Sequence, residues 1–350
     1  MGFGHEVDLI AGRLSHVLHG LRGPKPIDVE ELTPYFDKAL AELNPEPPPL
    51  DTVRAHHSLT SHFSRTTTLS WASAHPILSP IYAKRHETDY RCNHIAYARW
   101  LRPDGARRRD CLIYIHGWLE PGSWVEEAFV FPRWLRELDV DIVHVALPFH
   151  GKRNTRTALF SGEYYWTADL VRSFEGIRQA LWDVRSIMGW LRRQGYERVG
   201  ATGISLGGSL AMLLACLEPT PDFVIPIVAH LMLAEAVEHA TILWRMKGDL
   251  ERWGIHEAQR REIFRRVGFD DAQPVLSRER QLWIEAREDA HIDPALVRRQ
   301  WEAWGKPELY WIEGGHMTFP AHLREITNAM YQFLAKTRAD PRAEDRRRIS

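Results

Sequence analysis

An apolar run at 198–202 passes straight through Gly203-Ile204-Ser205-Leu206-Gly207 into a helical stretch at 209–217. A strand that turns into a helix across G-x-S-x-G makes so sharp a turn that only small residues fit two places either side of the serine. Glycine also tolerates the strained backbone without a Cβ penalty. The serine is thereby presented at the C-terminal end of the strand, beneath a helix N-terminus whose dipole favours developing negative charge. A Gly-Ser turn can also serve merely to pack a helix closely on a strand. Partners further along the chain separate the two cases.

Around this turn, short apolar runs alternate with helical patterns. The spacing predicts strands at 66–72, 94–101, 110–115, 141–147, 198–202, 223–228, 282–286 and 308–312. Helices are expected around 125–138, 164–194, 208–217 and 320–337. Strands separated by helices imply parallel crossovers and a sheet covered on both faces. The expected fold class is therefore α/β: a mostly parallel eight-stranded sheet with helices on both faces, as in an α/β-hydrolase. A stretch at 231–280 carries two helical stripes, Ile242, Leu243, Met246, Leu250, Trp253 and then Ile263, Phe264, Val267. It reads as a small helical cap inserted into a catalytic domain at 55–337. Residues 1–54 read as a helical N-terminal arm ending in a stiff Pro-rich linker at 44–50, and 338–350 as a charged tail. In the arm, Leu9, Ile10, Leu14, Val17, Leu18 and Leu21 recur at helical spacing, and the expectation is that this stripe packs on the catalytic body. A membrane-surface role or self-association through the arm is the alternative, the former disfavoured by the lack of a basic face. Thr33-Pro34 is expected to open a second helix there.

Serine is a weak nucleophile until a base takes its proton, and the base needs an acid to orient it. In this architecture the order is serine, acid, histidine. The strand at 282–286 is followed by Glu288-Asp289-Ala-His-Ile-Asp293, and the strand at 308–312 by Glu313-Gly-Gly-His316. Both groups fall just beyond strand C-termini, on the edge where open α/β sheets place their sites. Ser205 is thus the candidate nucleophile, His316 the general base and Asp289 the orienting acid, with Glu288 and Asp293 as competitors for the last role. The strand at 110–115 ends in His116-Gly117-Trp118, and the backbone N–H groups of Trp118 and Leu206 are the candidate oxyanion donors. His150 and Arg153, in a second loop of the same edge, and Trp244 in the insertion are candidate substrate contacts.

Composition removes other classes. The 350 residues carry 45 Lys+Arg against 46 Asp+Glu, which argues against a nucleic-acid partner. Three cysteines, Cys92, Cys111 and Cys216, form no paired spacing and suit a reducing compartment, so a cytoplasmic location is expected. No apolar stretch is long enough for a transmembrane helix. Despite 18 histidines there is no H-E-x-x-H, and neither His56-His57 nor His316 with His322 has a ligand spacing. No metal and no cofactor are expected.

Together these stretches resemble the serine-nucleophile α/β-hydrolase superfamily over residues 55–337. The nearest likeness is to the group named after alpha/beta hydrolase domain-containing protein 18, carried by Gly203-Ile-Ser-Leu-Gly-Gly208, Pro148-Phe-His-Gly-Lys-Arg153, Glu288-Asp-Ala-His-Ile292 and Glu313-Gly-Gly-His316. The resemblance implies a Ser205–His316–Asp289 triad. The residues together are read as a serine hydrolase cleaving a carboxylic ester of a small molecule or lipid. A lipid acyl hydrolase or thioesterase, an amidase or peptidase, and a non-catalytic binding member of the fold are the alternatives.

Overall fold

The computed structural model describes residues 2–21, 28–60, 64–103 and 108–339. The Arg346–Arg348 run of the expected tail lies outside them. Among the described residues nine strands form one sheet: β1 Arg54–Thr60, β2 Arg65–Ala72, β3 Ile95–Arg102, β4 Asp110–Ile115, β5 Val140–Ala146, β6 Arg198–Ile204, β7 Val224–Ile227, β8 Leu282–Ala286 and β9 Glu308–Ile312. Their order is β1-β2-β3-β5-β4-β6-β7-β8-β9. The first three strands and β5 pair antiparallel, and every later pairing is parallel.

Eight strands match those expected from the sequence. The ninth, β1, reads Arg-Ala-His-His-Ser-Leu-Thr and sits at the sheet edge, so it has too little apolar alternation to be seen as a strand. The central strands β4 and β6 are buried along their whole length, as a sheet covered on both faces demands. The helix Leu170–Arg193 lies against the sheet with nearly every residue buried.

That helix also anchors the segment ahead of the sheet. Tyr35 donates from its hydroxyl to Glu175 (2.7 Å), and Arg178 donates to the Leu43 carbonyl (2.7 Å). Arg185 donates to the carbonyls of Asn44 and Pro45, tying the start of the Pro-rich stretch to the body. Thr33-Pro34 does not open a helix. A 3-10 turn, Val29–Tyr35, already runs through it, started by Asp28, whose side chain accepts from the Glu30 amide.

The N-terminal helix Phe3–Gly20 departs from expectation more sharply. Its buried residues are Gly4, Asp8, Gly12, Ser15 and His19, while Ile10, Leu14, Val17, Leu18 and Leu21 are exposed. The apolar stripe therefore faces solvent, and the polar and small residues face the body. The reason is contact distance. A Cβ at Gly315 would lie 2.6 Å from the Gly4 carbonyl oxygen and 2.5 Å from the Asp8 carboxylate, so helix and loop meet backbone to backbone. Only glycine permits that approach.

The same constraint governs the turn after β6. A Cβ on Gly203 would lie 2.7 Å from the Ile115 carbonyl oxygen, and one on Gly207 2.6 Å from that of His116. Gly207→Ala should therefore force β4 and the following helix apart, at a cost of about 1–3 kcal/mol in chemical denaturation. A variant as stable as the parent would mean that the turn is looser than this packing implies.

Candidate active site

Ser205 caps the helix Leu206–Ala215 with φ 56° and ψ −120°, a conformation that costs a non-glycine residue free energy. Its amide is held by the Ile227 carbonyl (2.9 Å) and its carbonyl accepts from the Ser209 amide (2.9 Å). The neighbouring strand and the first helical turn thus hold the strain in place. The His116–Trp118 turn packs directly on it, since a Cβ at Gly117 would sit 3.8 Å from that of Ser205. Among the described residues, neither the Leu206 nor the Trp118 amide donates to a protein acceptor. The Trp118 indole donates to the Gly162 carbonyl (2.9 Å), which fixes the turn that carries its amide.

Asp289 and His316 meet across the ends of β8 and β9. The Asp289 carboxylate contacts His316 Nδ1 at 2.7 Å through one oxygen and accepts from the His291 and Ile292 amides (2.8 and 2.7 Å) through the other. Burial disfavours the His316 imidazolium, but the charge and hydrogen bond of Asp289, joined by the charge of Asp8, outweigh it and raise its pKa above 6.5. The rival carboxylates are engaged elsewhere: Glu288 accepts from the Gly4 amide, and Asp293 caps the helix Pro294–Ala303. Among the described residues, Ser205 Oγ and His316 make no hydrogen bond to each other.

Asp8 belongs to the candidate site and was missed by sequence reasoning. Fully buried, it accepts from the amides of Ala290 (3.0 Å), His316 (2.7 Å) and Met317 (2.8 Å). One carboxylate from the N-terminal helix thus bridges the two loops that carry Asp289 and His316. No local motif announces such a contact, because its partners lie at the far end of the chain.

A cavity of about 80 Å³ opens beside Ser205. Its wall is mostly apolar: Trp118, Trp166, Leu210 and Leu213 from the sheet side, with Leu233, Ala236, Ala240, Ile242 and Leu243 from the 231–280 segment. Two buried histidines complete it. Burial pushes His230 down to about 4 and His291 down to about 3, so both are neutral at physiological pH. His291 contacts the Thr241 hydroxyl through Nδ1 (2.6 Å), and its ring lies 5.0 Å from that of His316.

The three candidate substrate contacts do not line this cavity. Arg153 is fully buried, paired with Asp183 at 2.8 Å and donating to the carbonyls of Ala146 and Asn93. His150 is buried beside His116 with Nδ1 on the Pro148 carbonyl. Trp244 is over a third exposed at the start of the helix Trp244–Arg252. A loop at the right sheet edge had suggested binding for the first two, but their side chains turn into the core.

The architecture is thereby defined: the chain has the α/β-hydrolase fold. Residues 94–241 match the family model described as alpha/beta hydrolase domain containing 18. A protein of Mycobacterium tuberculosis, itself described as uncharacterized, is 32% identical over 241 residues, which cover 66% of this chain and 54% of that protein. The chain thus spans about half the length of the curated relatives it matches. Among solved structures, Acetyl Xylan Esterase 1 from Thermoanaerobacterium sp. superposes with a TM-score of 0.58 at 15% identity, over 90% of this chain and 97% of that one. An acetyl xylan esterase from Paenibacillus sp. gives 0.58 at 14% identity, over 89% and 97%. At such identity the likeness is one of fold. No helix among the described residues is long and apolar enough to cross a membrane.

Removing Arg153 tests its placement. Arg153→Leu strands Asp183 as an unpaired buried charge and should cost about 3–5 kcal/mol of stability. A stable variant with a raised KM would instead restore a substrate role.

Proposed function

We propose that the protein is a serine hydrolase that cleaves a carboxylic ester with a short acyl group, through an acyl-enzyme. The observation that carries this reading is the Asp289–His316 pair, a buried imidazole with its own carboxylate. Ser205 attacks the ester carbonyl while His316 takes the hydroxyl proton, and the Leu206 and Trp118 amides receive the oxyanion. His316 then protonates the departing alcohol and activates water for deacylation. The Ser205–His316 bond would close when substrate is bound, as catalytic hydrogen bonds often tighten only in the complex. His291 is the wrong base: burial pushes its pKa down to about 3, and among the described residues its ring nitrogens hydrogen-bond to no carboxylate.

Cavity size supports the acyl assignment. The space beside Ser205, about 80 Å³ with a mostly apolar wall, suits a short apolar acyl group. The solved neighbours titled as esterases agree with ester chemistry but share only the fold. On a series of p-nitrophenyl esters, kcat/KM should peak among the short acyl groups. A maximum at long-chain esters would transfer the reading to a lipid acyl hydrolase.

One observation favours a second reading, a binding protein without turnover: the missing hydrogen bond between Ser205 and His316. Fluorophosphonate labelling separates the two. The wild type should label and hydrolyse esters, and Ser205→Ala should lose both, by roughly a thousand-fold or more in turnover, with its melt unchanged. No labelling of a folded wild type would assign the pocket to binding alone.

The base must be neutral to act, so kcat/KM should fall as pH drops through the His316 pKa, which its neighbours raise above 6.5. Asp8→Asn removes one of the charges that raise it, so the inflection should move to lower pH. Asp289→Asn should move it further, with a large loss of rate. An inflection that stays put in Asp8→Asn would confine Asp8 to holding the loops.

A further inference from the structure

Just past the His116–Trp118 turn the chain brings two carboxylates together without a cation. Glu120 follows the turn, and Glu126 stands on the short helix Trp124–Phe129. The Glu120 side chain is 7% exposed, and Oε2 of each glutamate is buried and accepts no hydrogen bond. Among the described residues no lysine or arginine pairs with either one. Arg99 lines the same cavity but is engaged by Glu127 through two bonds of 2.8 and 2.9 Å. Carboxylates taken out of water need a proton, a cation or hydrogen-bond donors to offset the lost hydration.

Two imidazoles approach the pair. His116 Nδ1 and His144 Nε2 stand 3.4 and 3.5 Å from Glu120 Oε2. His116 accepts the Leu147 amide at Nε2 (3.0 Å), so its proton sits on Nδ1, which donates to the Gly117 carbonyl (2.8 Å). It has no lone pair left to offer. His144, on β5, is different: no hydrogen bond occupies its Nε2 among the described residues. Its ring is held edge-to-face against Tyr114 and Phe131, with centroids 5.0 and 5.5 Å away.

The spacing of these groups is that of ligands. One donor atom from each of Glu120, Glu126 and His144 lies within 4.8 Å of the others. In a tetrahedral site with bonds of about 2.0–2.2 Å, two ligand atoms stand roughly 3.3–3.6 Å apart. His144 and Glu120 already have that separation, and a shift of about an ångström in a glutamate side chain completes the set. A cavity of about 180 Å³ lined by His116, Glu120 and His144 reaches the surface at Gly151 and Lys152. It supplies an entry path and room for a water as fourth ligand.

We propose that Glu120, Glu126 and His144 bind one divalent transition-metal ion of the zinc type. One imidazole with two carboxylates suits such an ion, whereas Mg²⁺ and Ca²⁺ take oxygen ligands. Its double charge neutralises both glutamates at once. The sequence carries no sign of it, because the ligands come from a loop, a helix and a strand rather than from a spaced histidine motif. Binding there braces the loop that follows Trp118. The proposal is independent of the ester-hydrolase reading, since none of the three residues lines the Ser205 cavity.

Calorimetric titration of the untagged full chain with Zn²⁺, after stripping with EDTA and dialysis, tests it. The wild type should take up one tightly bound ion per chain, and its melting temperature should rise with Zn²⁺ but not with Mg²⁺. Glu126→Gln and Glu120→Gln keep the side-chain shape and remove a charged ligand. Each should weaken binding at least ten-fold while keeping the parent's circular dichroism. If Glu120→Gln melts early, Glu126→Gln, on the helix nearer the surface, decides the matter alone. A wild type that takes up no Zn²⁺ overturns the proposal and leaves a shared proton to neutralise the pair. Uptake that neither variant weakens overturns it as well and assigns the ion to surface histidines.

Discussion

The site depends on one close approach, that of the turn after β6 to the end of β4. Gly203 and Gly207, either side of Ser205, lie so close to the carbonyls of Ile115 and His116 that a Cβ would not fit. Ser205 is thereby held at φ 56°, where relaxation would need the strand or the helix to move. The contact sets three features at once. It lifts the hydroxyl out of the strand, frees the Leu206 amide at a helix start, and places the His116–Trp118 turn beside both. Because β4 and β6 are buried neighbours in the sheet, the fold's stability and the geometry of the turn are inseparable.

The opposite half of the site is organised from farther away. Asp289 and His316 stand on loops that follow different strands, and loops of that kind are the parts of a fold with the least local support. Here the support is Asp8, a carboxylate with three amide donors, brought in by a helix from the start of the chain. Placing a buried carboxylate among backbone N–H groups satisfies both partners without a counter-charge. It also explains why the helix shows its polar and small residues to the body. The loops that carry Asp289 and His316 take their contacts from those groups, and the apolar stripe is left outside as a consequence.

Sequence reasoning read the periodic parts well. The eight strands it located are those whose residues are buried on both faces or alternate cleanly, and the strand it missed, β1, is a polar edge. It also placed Ser205, Asp289 and His316 at strand ends, since motif and order carry that information, and the structure joins the last two directly. It misjudged side chains whose direction depends on distant partners. Arg153 and His150 sit in a loop at the expected edge, yet one is drawn inward by Asp183 and the other packs among His116 and Tyr165. A loop's position follows from the strand before it, but the rotamer of a long polar side chain follows from whatever lies beneath.

The linear chain by itself determined the strand–turn–helix at Ser205, the alternation that makes a parallel sheet, and the order of the polar groups along the sheet edge. These are local or periodic properties, set by sterics and by which face of each element is apolar. Only the tertiary structure decided which way the N-terminal helix faces, that Asp8 joins the loops of Asp289 and His316, and how much room the 231–280 segment leaves beside the serine. Those outcomes turn on contacts between residues tens to hundreds of positions apart, where packing distance and hydrogen-bond geometry outweigh any preference written in neighbouring residues.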